Sequence, residues 1–484
     1  MTDTLRLPAA GPGAAGPAAT PPRPTRTPLW WGYTAVTAMG VSLLAVTVLW
    51  VHNGGAHAVG GFGWPSATAL GRLAGLLASD LMLLQTLLLA RIPMAERAFG
   101  QDQLAHWHRR IGFASFDLML AHIALITLGY AGTVHANVAV EFWKVVIDYP
   151  GVLLAAVGTA SLMLVVVTSV RAARSRLRYE SWHLLHVYAY LGVGLALPHQ
   201  IWNGGDFMGS GWARAYWWSL YALAAGAVVG YRLAVPAWRS WRHQVRVSSV
   251  AAEGPGLTSV YLTGRDLDRL PIRAGQFFQW RFLTGPGWSR AHPYSLSARP
   301  GRDLLRITVK NLGDDSARVA ALRPGTRVLF EGPYGRFNGD AYQGGPVTMF
   351  ACGIGITPLL ALLHELPYAP QEATLVYRAR SEEELVFRAE LDELADRRGV
   401  RIVYLLGHRA PRPSWLPSDI AGVAEFGDSG DDLTDVDALR KIVPDPADHR
   451  LYVCGPDSWT EAVVRAAWDA GVPPKRVHLE WFSW

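Results

Sequence analysis

The first half of the chain consists of long apolar runs separated by short polar stretches. Six runs reach the roughly 20 residues that a helix needs to cross the hydrocarbon core of a membrane, at about residues 31–52, 66–90, 108–130, 150–170, 180–200 and 213–235. Tryptophans occur near the ends of these runs, where interfacial anchors are expected, at Trp30, Trp31, Trp50, Trp64, Trp143, Trp182, Trp202 and Trp212. The pattern predicts a bundle of six transmembrane helices over residues 29–236.

The second half has the pattern of two smaller domains. Short alternating runs with frequent Gly and Pro turns, starting with "QVRVSSV" and "SVYLTG", predict a small antiparallel β-barrel over residues 243–340. Over residues 345–484 the pattern becomes apolar strand, glycine turn and helix, as in "PVTMFACGIGITPLLALLHEL". This alternation predicts parallel strands with crossover helices, and hence a nucleotide-binding α/β sheet.

Composition supports this division. Hydrophobic residues make up 50% of the chain and charged residues 17%, which is too apolar for one soluble enzyme and too charged for a pure membrane bundle. The two cysteines, Cys352 and Cys454, are too few to ligate an iron–sulfur cluster or to build a disulfide framework. Residues 1–28 are rich in Pro, Ala and Gly, so we expect a disordered tail there and not a signal peptide.

The arginines of the first half indicate an orientation in the membrane. The connection between the second and third spans and the connection between the fourth and fifth spans are both basic, with Arg91, Arg97, Arg109 and Arg110 in one and Arg171, Arg174, Arg176 and Arg178 in the other. The opposite loops offer mainly Lys144 and Arg214. The positive-inside rule therefore predicts that both termini are cytoplasmic. Orientation also explains the net charge of +6 better than nucleic-acid binding does.

Two histidines bracket the third span, "HRRIGFASFDLMLAH". His108 and His122 are 14 residues apart, so an α-helix turns about 1400° and rises about 21 Å between them. Both side chains then share a face, one near each membrane surface. The fifth span carries His186 and His199, and it runs in the same direction as the third, so the two pairs match in depth. Two facing pairs of imidazoles at two depths are typical of two stacked haems.

Two alternatives bear on these histidines. A single intramembrane histidine more often hydrogen-bonds a neighbouring helix, but four at matched depths favour ligation, since intramembrane ionisable groups are rare and usually functional. On an ideal helix His186 and His199 would lie about 140° apart, and a kink or tightened turn at Pro198 could redirect the second ring. His183 competes as the inner ligand, but its spacing to His199 is no better, so we predict His186.

The second half contains four short motifs suited to nucleotides. "GIGITP" follows a strand and opens a helix, so its amides could meet a pyrophosphate, although alone it is as often an ordinary tight turn. "VCGP" brings Cys454 to the carboxyl edge of the same sheet, where such folds bind ligands. "HPYSLS" places an aromatic ring and two hydroxyls on a barrel strand. "VKNLGDDSA" puts Gly313 and Ser316 at a probable helix start.

In this order the motifs resemble the ferric reductase and NADPH oxidase superfamily, over about residues 30–484. They are "HRRIG" with a histidine 14 residues after the first, "HPYSLS", "GPYG", "GIGITP", "VCGP" and the terminal "EWFSW". The resemblance implies a six-helix haem-binding bundle joined to a ferredoxin-reductase-type dehydrogenase with an FAD-binding barrel and an NADPH-binding α/β domain. The implied haem ligands are His108, His122, His186 and His199.

The resemblance also implies roles in the dehydrogenase. The implied FAD residues are His292, Pro293, Tyr294, Ser295, Lys310, Gly313, Ser316 and Phe482. The implied NADPH residues are Gly353, Gly355, Thr357, Pro358, Arg380, Cys454, Gly455 and Glu480. Among these, Tyr294, Ser295, Cys454 and Phe482 would border the reacting rings. Arg380 would read the 2′-phosphate and so favour NADPH over NADH, with a solvated loop charge as the alternative. Trp484 competes with Phe482 as the aromatic that covers the flavin.

The expected activity is transfer of electrons from cytoplasmic NADPH through FAD and two b-type haems to an acceptor on the outer face of the cell membrane. Oxygen, giving superoxide, and ferric chelates are the expected acceptors, with a quinone as a further alternative. A non-redox transporter with a histidine proton relay is an alternative of another class. No calcium-binding loop of the D-x-D-x-D-G type occurs in the sequence, so we expect no obligatory protein partner.

Overall fold

The computed structural model describes residues 30–170, 179–285, 287–410, 413–418, 423, 425–426 and 433–481. The predicted disordered tail, the predicted basic loop Arg171 to Arg178, and the predicted flavin-covering residues Phe482 and Trp484 lie outside the described residues.

The membrane region has five helices that are long and apolar enough to cross a bilayer. They are α1 (Trp30–His52), α3 (Trp64–Leu88), α5 (Gln101–Thr133), α7 (Val152–Ser169) and a continuous helix Gly211–His243. This last helix is made of α10 (Gly211–Val228), a π-helical segment (Val229–Ala234) and α11 (Val235–His243). Shorter helices connect them, namely α2 (Gly55–Gly60), α4 (Pro93–Phe99), α6 (Val138–Asp148) and α9 (Gly205–Met208).

The predicted fifth span is a helix of 25 residues, α8 (Tyr179–Asn203), but it is not among those five apolar helices. Three histidines, one glutamine and Pro198 reduce its hydropathy. It has the length to span the membrane, and the count of six spans stays a prediction.

Small residues set the packing of the membrane helices. α3 packs closely on α5 and α7 on α8. A Cβ on Gly71 would lie 3.0 Å from the backbone nitrogen of Ile126, and one on Gly158 would lie 2.7 Å from the carbonyl oxygen of Gly192. Such glycines let helix backbones approach closely in lipid. Among the described residues α5 and α8, which carry the four predicted haem ligands, are not a closely packed pair.

The barrel is built from two antiparallel sheets of three strands. Its strands are β1 (Arg246–Gly254), β2 (Leu257–Thr263), β3 (Phe277–Phe282), β4 (His292–Ser295), β5 (Leu304–Lys310) and β6 (Val328–Tyr334). The sheet orders are β1-β2-β5 and β4-β3-β6, with bridges Arg246↔Arg327 and Leu296↔Ile307 between the sheets. In β3, Phe278 and Trp280 alternate inward into the barrel core, as expected for strands with one buried face.

The C-terminal domain is a five-stranded parallel sheet with the order β11-β10-β7-β8-β9. Its strands are β7 (Val347–Cys352), β8 (Ala373–Ala379), β9 (Arg401–Leu406), β10 (Arg450–Gly455) and β11 (Val477–Trp481). The helices of the second half are α12 (Asp314–Val319) after β5, and then α13 (Ile356–Glu365), α14 (Arg388–Arg398), α15 (Asp435–Ile442) and α16 (Asp457–Asp469). Separate apolar cores cover the two faces of the sheet, which explains why β8 is buried at every position.

The membrane region docks on the barrel through α11 and the α3–α5 connection. The backbone N–H of Phe330 donates to Ser240 Oγ at 3.2 Å, and the guanidinium of Arg239 donates to the carbonyl of Gly332. Arg91 lies over the ring of Tyr334, 4.2 Å from its centroid. The arginine-bearing α3–α5 connection is therefore on the same side of the bundle as the barrel.

Candidate functional site

His108 on α5 and His186 on α8 face each other. Their ring centroids are 6.0 Å apart and the ring planes are inclined by 58°. With a metal–imidazole bond of about 2.0 Å, two imidazoles on opposite sides of one metal place their centroids roughly 6 Å apart. The geometry of this pair fits one iron between the rings.

The second pair consists of His122 on α5 and His199 on α8. The two side chains are close enough to interact electrostatically. A Cβ on Gly75 would lie only 2.5 Å from His122 Nδ1, and one on Gly151 would lie 2.8 Å from the backbone nitrogen of His199. His122 therefore lies directly against Gly75, and His199 lies directly against Gly151. A larger residue in place of either glycine would force the two chain segments apart.

Hydrogen bonds at Nδ1 orient the rings. The Nδ1–H of His108 donates to the carbonyl of Gln85 at 3.1 Å, and that of His122 donates to the carbonyl of Gly71 at 2.8 Å. His199 donates in the same way to the carbonyl of Ala196, and His186 Nδ1 lies 3.4 Å from the hydroxyl of Ser169. A carbonyl can only accept, so the bonded rings carry their proton on Nδ1 and keep a lone pair on Nε2. This is the usual arrangement of metal-binding histidines, and the donor set fits haem iron.

His183, the alternative inner ligand, lies in a different environment from His186. His183 lies one turn closer to the barrel, in the electrostatic range of Arg232, Arg281 and Glu331, whereas the ring of His186 lies opposite that of His108. At the other end, α8 continues through Pro198 to Asn203, and the His199 ring is held by the carbonyl three residues before it.

Two buried carboxylates of the membrane region are not among the residues predicted from the sequence. Asp80 is fully buried and accepts hydrogen bonds from Ser42 Oγ at 2.9 Å and Tyr216 OH at 2.7 Å. Asp206 accepts a two-point contact from Arg72 at 2.6 and 2.8 Å. For Asp80 the signal was available, because an ionisable residue within an apolar run is uncommon, whereas Asp206 lies between two predicted spans. In this structure each carboxylate ties helices together, and neither contacts the four histidines through a described hydrogen bond.

The predicted flavin residues lie on β4. His292 and Tyr294 have nearly parallel rings, 13° apart with centroids at 6.1 Å, and both are half-buried. Ser295 is buried and pairs in register with Phe277, while Pro293 pairs with Gln279. The two rings thus form one aromatic face on the β4 edge of the barrel.

The predicted phosphate residues follow β5. Ser316 Oγ accepts from the backbone N–H of Leu312 at 2.8 Å and donates to the carbonyl of Gly313 at 2.9 Å, so this hydroxyl stabilises the start of α12. Lys310, the last residue of β5, lies in the electrostatic range of Cys352 at the end of β7. The end of this barrel strand therefore approaches the loop that carries the predicted NADPH residues.

That loop is shaped by glycines. Gly353 has a φ of +55°, and a Cβ on Gly355 would lie 2.1 Å from the carbonyl oxygen of Cys454, so only glycine fits there. Thr357 and Pro358 are buried in the first turn of α13, and the Thr357 hydroxyl donates to the carbonyl of Ile354 at 3.0 Å. The loop brings the start of α13 against the carboxyl end of β10.

Both thiols of this region remain protonated at neutral pH. Burial raises the pKa of Cys352 to about 11 and raises the pKa of Cys454 well above its usual value. A Cβ on Gly455 would lie 2.7 Å from the ring of Trp459, which leaves a flat backbone surface beside Cys454. Cys454 can therefore contribute a neutral, buried packing surface and not a thiolate.

Three further ionisable side chains lie near the sheet edge. Arg380 is exposed directly after β8, where a phosphate could reach it. The buried guanidinium of Arg378, which the sequence analysis did not single out, donates to the carbonyls of Gly407 and His408 at 2.8 and 2.9 Å and so holds the neighbouring loop. On β11, loss of water and the nearby Asp102 raise the pKa of Glu480 to about 8.

An ion-pair network joins the barrel to the α/β domain. Arg306 on β5 contacts Glu390 on α14 through two hydrogen bonds of 2.9 and 3.2 Å. His364 on α13 donates to the same carboxylate at 2.8 Å. Arg306 also donates to the hydroxyl of Ser297 at 3.2 Å. No motif predicted these contacts, because their members are distant in the sequence.

Comparison with known proteins gives two family matches. The family "Ferric reductase like transmembrane component" matches residues 74–197, and the "Oxidoreductase NAD-binding domain" matches residues 349–465. The first match includes three of the four histidines, His108, His122 and His186. The second includes the glycine loop and Cys454.

Two relatives are 30% identical to this chain over more than two thirds of their own length. A flavohemoprotein of Chromobacterium violaceum is 30% identical over 299 residues, which cover 58% of this chain and 70% of that protein. Ferredoxin--NADP reductase B of Sorangium cellulosum is 30% identical over 247 residues, which cover 49% of this chain and 96% of that protein. The crystal structure of a ferredoxin NADP+ reductase from Neisseria gonorrhoeae with bound FAD and NADP matches 49% of this chain and 98% of its own, at 21% identity and a TM-score of 0.38.

The resemblance predicted from the motifs is confirmed. A membrane region with apolar spans is joined to a dehydrogenase of the FAD- and NAD(P)H-binding type. The chain belongs to the ferric reductase and NADPH oxidase superfamily, as an integral membrane flavoprotein that transfers electrons.

Proposed function

We propose that this protein carries electrons from cytoplasmic NADPH through FAD and two b-type haems to an acceptor on the outer face of the cell membrane. Both termini would then be cytoplasmic. The observation that carries the proposal is the 6.0 Å separation of the His108 and His186 rings, which would let both residues hold one haem iron.

The residues of the chain would divide the work in the following way. His108 and His186 would hold the haem nearer the dehydrogenase, and His122 and His199 would hold the outer one. Haem supplies a one-electron carrier, and its potential depends on the ligands and on the hydrogen bonds behind them. The carbonyls of Gln85 and Gly71 accept from the Nδ1–H groups of His108 and His122. These hydrogen bonds would increase the basicity of the imidazoles as ligands and fix the orientation of the rings.

On the dehydrogenase, the aromatic face of His292 and Tyr294 would support the flavin, with Ser295 beside its reactive nitrogen. Lys310, Gly313 and Ser316 would hold the FAD phosphates. The glycine loop, with Thr357 and Pro358, would bind the NADPH phosphates, and Arg380 would contact the 2′-phosphate. Cys454, Gly455 and Glu480 would border the nicotinamide, where the neutral thiol adds no competing charge.

With both His122 and His199 holding the outer haem, the acceptor would be reduced beside that haem without binding its iron. Oxygen and ferric chelates are the proposed acceptors. Reduction of oxygen and reduction of a ferric chelate would use the same electron carriers inside the membrane. The two reactions would differ only in how the acceptor is bound at the outer surface.

The first test is a reduced-minus-oxidised difference spectrum of the purified full-length protein. We expect the bands of b-type haem, two haems per chain and one FAD. A colourless preparation of full-length protein would overturn the proposal. The same preparation, given NADPH, then distinguishes the acceptors by parallel measurement of superoxide and ferrous iron.

The second test separates the two halves of the route. His122→Leu is expected to abolish reduction of the outer acceptor while NADPH still reduces the flavin. Reduction of the acceptor at an unchanged rate would show that electrons take another path.

A further inference from the structure

A cavity of about 650 Å³ lies where the last membrane helix meets the barrel. Its walls come from α11 and the π-helical segment before it, and from β6 and the loop after β3. The volume is within the range of about 300–1,000 Å³ that is common for small-molecule sites. None of the predicted haem, FAD or NADPH residues lines it, so the proposed electron route does not explain it.

The cavity is basic. Four arginines line it, namely Arg232, Arg246, Arg281 and Arg327, together with Glu331 as the acidic group. Arg281 pairs with Glu331. The other three arginines have no carboxylate partner among the residues that the structure describes. Arg232 and Arg246 also donate to the backbone carbonyls of Leu89 and Gly325, and the net positive charge of the cavity is complementary to an anion.

Large apolar side chains also line the cavity, and most of their surface is exposed to solvent. Trp241 is 71% exposed, Leu233 63% and Trp288 56%. Trp288 is notable because it lies on the loop between β3 and β4 and not on a membrane helix. An exposed tryptophan with an apolar body and a polar N–H is typical of the membrane interface.

The position of the cavity relative to the bilayer follows from helix length. The continuous helix Gly211–His243 has 33 residues, which is about 50 Å, whereas the hydrocarbon core is about 30 Å thick. After Arg214, near the outer end, the next charged residue of this helix is Arg232. Arg232 and Leu233 therefore lie at the edge of the hydrocarbon core on the dehydrogenase side, and Trp241, further along the same helix, lies at the headgroup level.

We propose that this cavity binds the headgroup of an anionic phospholipid from the leaflet that faces the dehydrogenase. Arg246 and Arg327 would contact the phosphate and its anionic substituent, Trp241 and Trp288 would lie along the glycerol, and Leu233 would lie along the first part of the acyl chains. A bound lipid would then bridge the last membrane helix and the barrel. The proposal depends on the membrane insertion of the chain and not on the identity of its electron acceptor.

The test uses delipidated full-length protein, titrated with phosphatidylglycerol or with phosphatidylcholine while thermal unfolding is followed. The wild type is expected to bind phosphatidylglycerol more tightly. Each arginine at a membrane surface is worth roughly fivefold in affinity, so Arg246→Gln with Arg327→Gln is expected to weaken phosphatidylglycerol binding on the order of 30-fold. NADPH-dependent flavin reduction in detergent should be unchanged.

A matched control removes two positive charges elsewhere on the barrel. Arg269 and Arg302 are 68% and 82% exposed and form only long pairs of 4.0 and 3.8 Å, so Arg269→Gln with Arg302→Gln should keep the lipid preference. Trp288→Ser should weaken binding of both lipids. An equal loss in the two double variants, no lipid preference in the wild type, or equal protection by inorganic phosphate would each overturn the proposal.

Discussion

The imidazole rings of His108 and His186 face each other at 6.0 Å although their helices are not a closely packed pair. α5 packs instead on α3, and α8 on α7. The two rings extend from two separate helix pairs into the space between them. This arrangement suits a planar group held from both sides.

His186→Leu is expected to remove the inner haem, because its ring is the one that faces His108. His183→Leu, one turn away, is expected to retain both haems, since His183 lies within the electrostatic range of Arg232 and Glu331 and its ring is not the one opposite His108. Haem content per chain and the difference spectrum are the measurements. Loss of a haem in the His183 variant alone would reverse the assignment.

Gly75→Ala is expected to displace the outer haem. Its new Cβ would lie 2.5 Å from Nδ1 and 2.9 Å from Cε1 of His122, and this ring is held by its hydrogen bond to Gly71. The control is Gly226→Ala on α10, where nothing lies within 4 Å of a Cβ. Haem content should fall in the first variant only. Two haems in both variants would show that the ring can move without losing its metal.

Arg380→Ala is expected to lower the preference for NADPH over NADH. A hydrogen bond to a charged group contributes about 1.5–3 kcal/mol, or roughly 10- to 100-fold. Arg388→Ala is the control, because that guanidinium is committed to Glu382 and to the ring of Tyr404. The ratio of kcat/KM for the two nucleotides measures the effect. An unchanged ratio would leave Arg380 as a solvated loop charge.

Glu390→Gln is expected to reduce the acid sensitivity of the dehydrogenase. Burial opposes ionisation of Glu390, but the hydrogen bonds from His364 and Arg306 outweigh it, and the pKa is below its usual value. A carboxyl of this kind stabilises the fold above its unfolded pKa of about 4.3, and that stability is lost as the pH falls through the lower folded pKa. The wild type should therefore lose more stability than the variant on acidification.

Thermal unfolding at neutral and acidic pH measures this difference. Glu393→Gln, on the same helix, is the control, because its pair with Arg397 is exposed and exposed pairs contribute little. If the wild type and the Glu390 variant respond to acid in parallel, the network does not stabilise the folded state.

The local patterns of the sequence predicted the features that depend on short stretches of chain. Apolar runs, alternating strands and glycine turns each reflect neighbouring residues, so they indicated the spans, the barrel and the α/β sheet. The motifs around His108, Tyr294 and Gly353 led to the family in the same way. Six spans and the individual site residues remain predictions.

Tertiary structure alone decided which distant side chains meet. Arg306 and Glu390 lie 84 positions apart, and no periodicity relates them. Which histidine of α8 faces His108 depends on how α8 is rotated about its axis, and helix packing determines that rotation. The basic cavity beside Trp288 arises only where a barrel loop approaches the last membrane helix. Hydrophobic periodicity specifies which face of an element is buried, whereas the partner of that face is determined by packing between elements.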